Sequence, residues 1–191
     1  MCNEQVFKVI KSRRAVRKYL DKPVSRELIE QILEAGQLAP SGMNSQPWRF
    51  VVVRDPVLRK ELAVAARKKA EPFYEEMFQK FPERRPLIEQ RFATMTDPIY
   101  YSAPVVIFLI CEGRFAATSA GLAAENMFLA AKALGLGSIW VDAGRFGLED
   151  EAIKTKFGIK GTEEIIAPLL FGYADEEPEL PPRKELAVKW F

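Results

Sequence analysis

The chain has 191 residues, room for one domain or one domain with an insertion, and 48% of them are hydrophobic, which allows a sizeable buried core. Its 28 basic residues against 26 acidic ones leave a formal net charge of +2, too small a surplus to point to a nucleic acid or a membrane surface as partner. Histidine is absent, which excludes Ser-His-Asp and Cys-His nucleophilic sites and every histidine-containing metal site.

In chain order, Asn3 is placed to cap a first helix that carries Val6, Phe7, Val9 and Ile10 on one side. That helix ends near the basic run Ser12-Arg13-Arg14-Ala15-Val16-Arg17-Lys18-Tyr19. Lys22-Pro23 marks a turn, Ser25 caps the next helix, and Leu28, Ile29, Ile32 and Leu33 make its apolar stripe up to Gly36. Residues 39–48 read as loop, because Pro40, Gly42 and Pro47 interrupt regular structure. Phe50 to Val53 is a buried strand. Asp55-Pro56 opens a helix that runs to about Ala70, where Pro72 breaks or kinks it.

Residues 72–98 differ in character. They are helical, rich in charge and in Phe73, Tyr74, Phe78, Phe81 and Phe92, and punctuated by Pro82, Pro86 and Pro98, as expected of a helical excursion from the main fold. Val105 to Cys111 is a second buried strand, and Thr118 or Ser119 caps a long helix through Leu134 that Gly135 and Gly137 end. Ser138 to Val141 is a third strand, a helix over 149–157 stops at Gly158, and Ile165 to Phe171 is a fourth strand. Residues 174–191 form an acidic, proline-rich extension that closes on Arg183-Lys184 and the apolar Val188-Lys189-Trp190-Phe191. The whole is one mixed α/β (α+β) unit over 1–191.

Cys2 and Cys111 make no disulfide framework, so a reducing compartment, the cytoplasm, is expected. No signal peptide is evident, and the longest apolar run, Ala103 to Cys111, is short of the ~20 residues that cross a bilayer. Carboxylate-bound Mg²⁺ stays open, but no tight Asp/Glu cluster recommends it, and no metal is expected. The chemistry therefore points to a bound organic cofactor.

Four constellations stand out. In an extended chain Arg13, Ala15 and Arg17 project to one face, so the two arginines flank a gap suited to a phosphate, whose oxygens a guanidinium fork binds bidentately. A solvated basic helix end explains the same residues. Pro40-Ser41-Gly42-Met43-Asn44-Ser45-Gln46-Pro47-Trp48 offers neutral donors and acceptors on a stiff loop, suited to a planar heterocycle with an amide-like edge, although a plain turn uses much the same residues. Gly135-Leu136-Gly137 precedes a strand and is no dinucleotide fingerprint, while Ala143-Gly144 beyond that strand could bring backbone amides close to a ligand. Pro181-Pro182-Arg183-Lys184 adds cations to the extension, and its apolar end argues that this segment seeks a groove.

Together, in this order and spacing, these four pieces resemble the nitroreductase family of flavoenzymes over almost the whole chain. The resemblance is carried by the Ser12–Tyr19 run, by the Pro40–Trp48 loop, by Ala133-Leu134-Gly135-Leu136-Gly137 before an apolar strand, and by Phe171-Gly172-Tyr173-Ala174 ahead of Pro-Pro-Arg-Lys. It implies a three-layer sandwich around a mainly antiparallel sheet flanked by helices, and a homodimer with FMN at the subunit interface. It implies that Arg13 and Arg17 bind the FMN phosphate, with backbone contacts from Arg14 and Ala15, and that Arg183 and Lys184 complete the cage. Pro40, Ser41, Asn44 and Gln46 of the second subunit would line the isoalloxazine, and the Asp142-Ala143 backbone would lie near its N5. The implied reaction is ping-pong hydride transfer from NAD(P)H through the flavin to a small flat acceptor such as a nitroaromatic or quinone. Dehalogenation, flavin fragmentation or non-catalytic flavin binding on the same fold stay open. The 72–98 excursion would lid the cleft, with Phe73, Tyr74 and Phe78 either touching substrate or packing on the core. Two departures stand out: Ala15 where the family often has Ser, and Pro181 where many members have Lys.

Overall fold

Strand β2 (Val105–Glu112) lies at the centre of the fold. In the computed structural model, which describes residues 2–191 but not the side chains of Cys2 and Asn3, seven of its eight residues are buried. β1 (Trp48–Val53) pairs with it antiparallel, from Trp48 opposite Cys111 to Val53 opposite Val106. On the other side β4 (Glu163–Gly172) pairs antiparallel, and β3 (Gly137–Trp140) pairs antiparallel with β4, giving the order β1-β2-β4-β3. Leu109 faces Ala167 while Ile110 faces Ile165, so Ile166 is the extra residue of a bulge in β4.

Because side chains alternate along a strand, β2 feeds two cores. Val106, Phe108 and Ile110 pack with Leu62 and Ala66 of α3 (Pro56–Lys69), with Tyr74 and Phe78 of α4 (Glu71–Lys80), and with Ala143 and Leu148 of a 3₁₀ stretch (Asp142–Leu148). Val105, Ile107, Leu109 and Cys111 pack with Ile29 and Ile32 of α2 (Arg26–Gln37) and with Ala120, Ala124 and Met127 of α6 (Ala116–Ala133). Helices on both faces of an antiparallel sheet make the three layers that the resemblance implied. α2 and α6 lie so close that a Cβ on Gly36 would stand 2.8 Å from Met127 Cγ, and Asn126 Nδ2 donates to Ala35 O at 3.1 Å.

Local chemistry starts most helices where the sequence places them. Ser25 Oγ accepts from Leu28 N–H at the head of α2, and Asp55 Oδ1 accepts from Leu58 N–H at 2.7 Å at the head of α3. Pro72, Pro82 and Pro86 each sit in the first turn of a helical piece: α4, a 3₁₀ turn (Pro82–Arg84) and α5 (Arg85–Thr94). A first-turn residue has no intrahelical partner for its N–H, so these prolines start helical pieces, and α3 ends at Lys69 ahead of Pro72 as the sequence places it. Three expectations need correction. Asn3 lies inside α1 (Cys2–Ser12) rather than ahead of it. α6 starts earlier than Thr118, because Gly113 at φ +93° turns the chain and Ala116 N–H already bonds Gly113 O at 3.1 Å. Ser119 is therefore a buried interior residue of the helix. The helix expected over 149–157 is α7 (Glu151–Lys156), capped by Asp150.

The sheet is extended beyond β3 by irregular chain. Ala15 bridges Ser138 in parallel sense and Val16 N–H bonds Ser138 O at 3.0 Å. Leu20 N–H then bonds Tyr173 O, and Asp175 N–H returns to Lys18 O. This places the basic run of the N-terminal segment along the β3 edge, with Val16 so close to Gly137 that a Cβ there would meet its Cγ2 at 2.6 Å.

At the far end of the sheet Arg49 of β1 grips both oxygens of Glu163 of β4, at 2.9 and 2.8 Å, across the end of β2. The Arg49 hydrogen bonds, with help from Lys160 N–H, hold the Glu163 carboxyl down at about 2. A carboxyl whose pKa is lowered by folding contributes stability at pH values above its unfolded pKa and loses it as pH falls through the folded one. The folded protein should therefore lose about 1–2 kcal/mol through this pair between roughly pH 4.5 and 2, after allowance for solvent around the arginine. Urea titrations across that window should show this component missing from Arg49→Met.

Candidate functional site

The N-terminal cations are the first group the fold assembles. Arg13 still belongs to the helix turn, its N–H bonding Val9 O at 2.9 Å, so strand alternation does not reach it. Its side chain goes to α6, with Nε 3.3 Å from Glu125 Oε1 and the guanidinium 5.9 Å from the Phe128 ring centroid. Arg14 donates through Nη1 to Lys11 O at 2.7 Å and Arg13 O at 2.8 Å. The Nε atoms of both Arg13 and Arg14 are buried and lack a hydrogen-bond acceptor. Arg17 is exposed and has no ion pair among the described residues. The expected pairing of Arg13 and Arg17 across Ala15 is thus replaced by a cluster of Arg13 and Arg14, with Ala15 packed on the core.

Beside this cluster runs a cleft of about 330 Å³ lined by Arg13, Arg14, Lys132, Ser138, Tyr173 and Glu177. The start of the C-terminal extension crosses it, and Glu176 and Glu177 take Lys18 and Lys132, each at 2.7 Å. Arg183 and Lys184 stay exposed on the extension, without an ion pair among the described residues. Residues 178–191 have no secondary structure, and Pro178 still borders the cleft.

The second group is the turn after β3. Val141 N–H bonds Pro168 O at 3.2 Å, and the first bond of the 3₁₀ stretch is Gly144 N–H to Val141 O at 3.0 Å. The N–H groups of Asp142 and Ala143 precede that bond and are not engaged in it. Two side chains the sequence reading did not single out fix this turn. Trp140 Nε1 donates to Asp142 Oδ1 at 2.6 Å, and the buried Tyr100 hydroxyl donates to Gly144 O at 2.7 Å. Burial raises the Tyr100 phenol well above its ordinary value and keeps it a donor. Gly147 is required here, since a Cβ would meet Leu62 O at 2.7 Å.

The third group is the 40–46 loop. Ser41 Oγ accepts from Gln46 N–H at 3.0 Å, while Gln46 Nε2 reaches Asn44 Oδ1 at 3.3 Å. Met43, Asn44 and Gln46 all have positive φ, a conformation non-glycine residues hold only when their surroundings enforce it. Pro40, Asn44 and Gln46 are exposed, Ser41 is half-buried, and Met43 is 90% exposed. This loop leads into β1, at the opposite edge of the sheet from the Arg13–Arg17 run. Among the described residues no hydrogen bond or ion pair joins it to that run or to the Asp142-Ala143 turn.

The excursion aromatics pack inward. Tyr74 and Phe78 are core residues, and Phe73 is half-buried with its ring 5.8 Å from Phe146 of the 3₁₀ stretch. Cys111 is buried, and desolvation with Glu164 nearby pushes its thiol up to about 12, which rules it out as a nucleophile near neutral pH. Among the described residues no group of three or more Cys, Asp or Glu could hold a metal ion, and no helix is long and apolar enough to cross a membrane.

Residues 10–173 match the profile of the nitroreductase family. The chain belongs to that family. A provisionally named NADH dehydrogenase/NAD(P)H nitroreductase of Methanothermobacter thermautotrophicus is 33% identical over 91% of this chain and 79% of its own. The iodotyrosine deiodinase of Thermotoga neapolitana is 30% identical over 98% of both chains. Among solved structures, an FMN-bound nitroreductase from Bacteroides fragilis superposes with a TM-score of 0.71 at 30% identity, covering 96% of this chain and 94% of its own. The nitroreductase fold thus stands on both sequence and shape.

Replacing Tyr100 by Phe removes the hydroxyl that satisfies Gly144 O without changing the packed ring. The variant should lose about 1–2 kcal/mol of stability, read as a lower denaturant midpoint at unchanged slope.

Proposed function

We propose that the protein is an FMN-dependent oxidoreductase, a cytoplasmic homodimer that takes electrons from NAD(P)H and passes them to a flat small molecule such as a nitroaromatic or a quinone. One observation carries this reading. The 40–46 loop leads into β1 and the cationic run lies alongside β3, four strand spacings away across the sheet, about 19 Å at ~4.8 Å each. Two chains facing each other bring the loop of one to the cationic edge of the other over a shared ligand. The apolar residues left exposed fit such a contact: Phe7 and Ile10 on α1, Leu38 and Met43 around the loop, Leu122 on α6. α6 itself supports a dimer only weakly, because most of its apolar surface is already covered within the protomer.

The residues present fit FMN. The orphaned Nε donors of Arg13 and Arg14, with the free cation of Arg17, suit its phosphate. The unengaged N–H groups of Asp142 and Ala143 suit the N5 edge of its ring system. Pro40, Ser41, Asn44 and Gln46 of the second chain would line that ring system, and Arg183 and Lys184 would close on the phosphate once a second chain gives the extension something to pack on. FMN, when bound, supplies the redox chemistry, taking hydride from the nicotinamide and yielding electrons to the acceptor. The chain contributes binding, orientation and exclusion of water. It has no histidine, and its buried thiol stays protonated, which fits a division of labour in which the chain supplies no strong acid or base. Phe73, against the turn and at the root of the excursion, is the aromatic best placed to border the acceptor. The extent of the match to iodotyrosine deiodinase favours one other reading, reductive dehalogenation at the same site, which analysis of the product from a halogenated phenol separates from nitro or quinone reduction.

Anaerobic visible spectra of the purified protein test the reading. The flavin band should bleach with NADPH or NADH and return on addition of a quinone or nitroaromatic; a protein that binds no FMN on incubation would sink it. Arg13→Ala with Arg14→Ala should weaken FMN binding by about tenfold or more, measured by flavin fluorescence titration. Met43→Glu, a change at an exposed position, should shift the sedimentation coefficient from dimer towards monomer and lower flavin retention with it. An unchanged dimer would move the interface away from the loop.

A further inference from the structure

Arg91 of α5 is the third arginine with a buried, unpartnered Nε, beside Arg13 and Arg14. Its Nη1 donates to the Tyr101 hydroxyl at 2.6 Å and its Nη2 to the Tyr74 hydroxyl at 3.3 Å. Its guanidinium lies 5.4 Å from the Phe92 centroid and 5.5 Å from that of Tyr101. Arg67 of α3 lies 5.2 Å from the same Phe92 ring. Among the described residues neither arginine has a carboxylate within ion-pair distance. The carboxylates that border the adjoining groove have other roles: Glu75 and Glu89 hold Arg85 at 2.8 and 3.3 Å, and Glu71 sits in the first turn of α4.

The cluster is therefore made almost wholly of donors. A guanidinium cannot shed its charge, and withdrawing it from water is costly unless an acceptor of opposite charge replaces the water. The two phenols are spent as acceptors for Arg91, so each has its own O–H left to give. Neither O–H has an acceptor among the described residues. Desolvation raises the Tyr74 phenol, which keeps that proton in place. Tyr101 is fixed in position by a backbone at φ +53°, held by Asp97, whose carboxylate accepts the N–H groups of Ile99, Tyr100 and Ser102. A groove of about 520 Å³ opens between α3, α4 and α5, with Arg67, Tyr74, Phe78 and Phe92 among its walls, and of Arg91, Tyr74 and Tyr101 it is Tyr74 that lines it. An aromatic run joins it to the Asp142–Leu148 turn, from Tyr74 to Phe73 at 5.5 Å and from Phe73 to Phe146 at 5.8 Å.

We propose that Arg91, Tyr74 and Tyr101 form an anion site under the excursion that takes the carboxylate of a flat aromatic acid, with the ring of the acid along Tyr74 and Phe92. That such an acid is the electron acceptor rests on the flavin reading above; that it binds does not. Equilibrium dialysis of the full-length protein, with and without FMN, against benzoate and its neutral isostere benzamide tests the site. Benzoate should bind at least about tenfold more tightly, the scale of one charge-assisted hydrogen bond. Arg91→Gln should reduce benzoate to the level of benzamide. The double variant Tyr74→Phe, Tyr101→Phe keeps both rings and should weaken benzoate several-fold while leaving benzamide unchanged, so it carries the test if Arg91→Gln does not fold. Equal binding of the two ligands, or benzoate binding indifferent to these changes, overturns the site and leaves the flavin reading standing. Benzoate binding as expected, with turnover that shows no Arg91-dependent preference for a nitroaromatic acid over a neutral nitroaromatic, overturns the acceptor role and leaves the site.

Discussion

Everything in this fold depends on β2 being covered on both faces. Seven consecutive residues, Val105 to Cys111, are buried, and their alternation sends one set of side chains into the α3 side and the other into the α2 and α6 side. At roughly 25 cal/mol per Å² of apolar surface removed from water, this strand and what packs on it dominate the stability of the chain. A sheet with both faces occupied has only its edges and ends left for chemistry. The β3 edge receives the cationic run, the 40–46 loop leads into β1, and the Asp142–Leu148 turn follows β3.

The charges divide along the same line. Where the chain needs a pair for structure it makes one, as between Arg49 and Glu163, with two hydrogen bonds and a carboxyl held near pH 2. Elsewhere, at the β3 edge and on α5, three arginines are left short of acceptors. Arg13 meets Glu125 without hydrogen-bond alignment, Arg14 reaches only backbone carbonyls, and Arg91 meets only phenols. A buried polar group with no partner is costly, and among the described residues three arginine Nε atoms stand in that position.

Much of the fold was legible in the sequence because its signals are local. Four apolar runs became four strands with ends shifted by at most two residues, and Ser25 and Asp55 cap the helices they precede. The errors came where chain outside the matched pattern, near or distant, decides the local conformation. Arg13 was assigned to an extended face but closes the last turn of α1, because the helix continues through Ser12 regardless of the charge run. Thr118 and Ser119 look like caps, yet Gly113 turns the chain early enough for α6 to begin without one. The Tyr100 contact that holds Gly144, just after Asp142 and Ala143, is not legible in the sequence because it acts across 44 residues. Charge and aromatic content alone do not decide whether the excursion aromatics meet substrate or core; Tyr74 and Phe78 pack in the core because β2 and α3 offer them apolar partners there.

Ala15 shows how a departure from the family pattern can be absorbed. The resemblance leads one to expect a serine hydroxyl at this place, beside the phosphate-binding arginines. In this chain the Ala15 side chain packs on the α3-side core, while its backbone bridges Ser138, a buried residue of the β3 edge. Holding the run against the sheet therefore falls to main-chain bonds and to the contact between Val16 and Gly137, which leaves no room for a Cβ. Those interactions do not depend on what residue 15 carries. The missing hydroxyl removes one neutral hydrogen bond, typically about 1 kcal/mol, whereas the arginines on either side offer charge-assisted ones of about 1.5–3 kcal/mol each. The position of the cationic edge is then decided by where the backbone is pinned, and the identity of residue 15 does not change it.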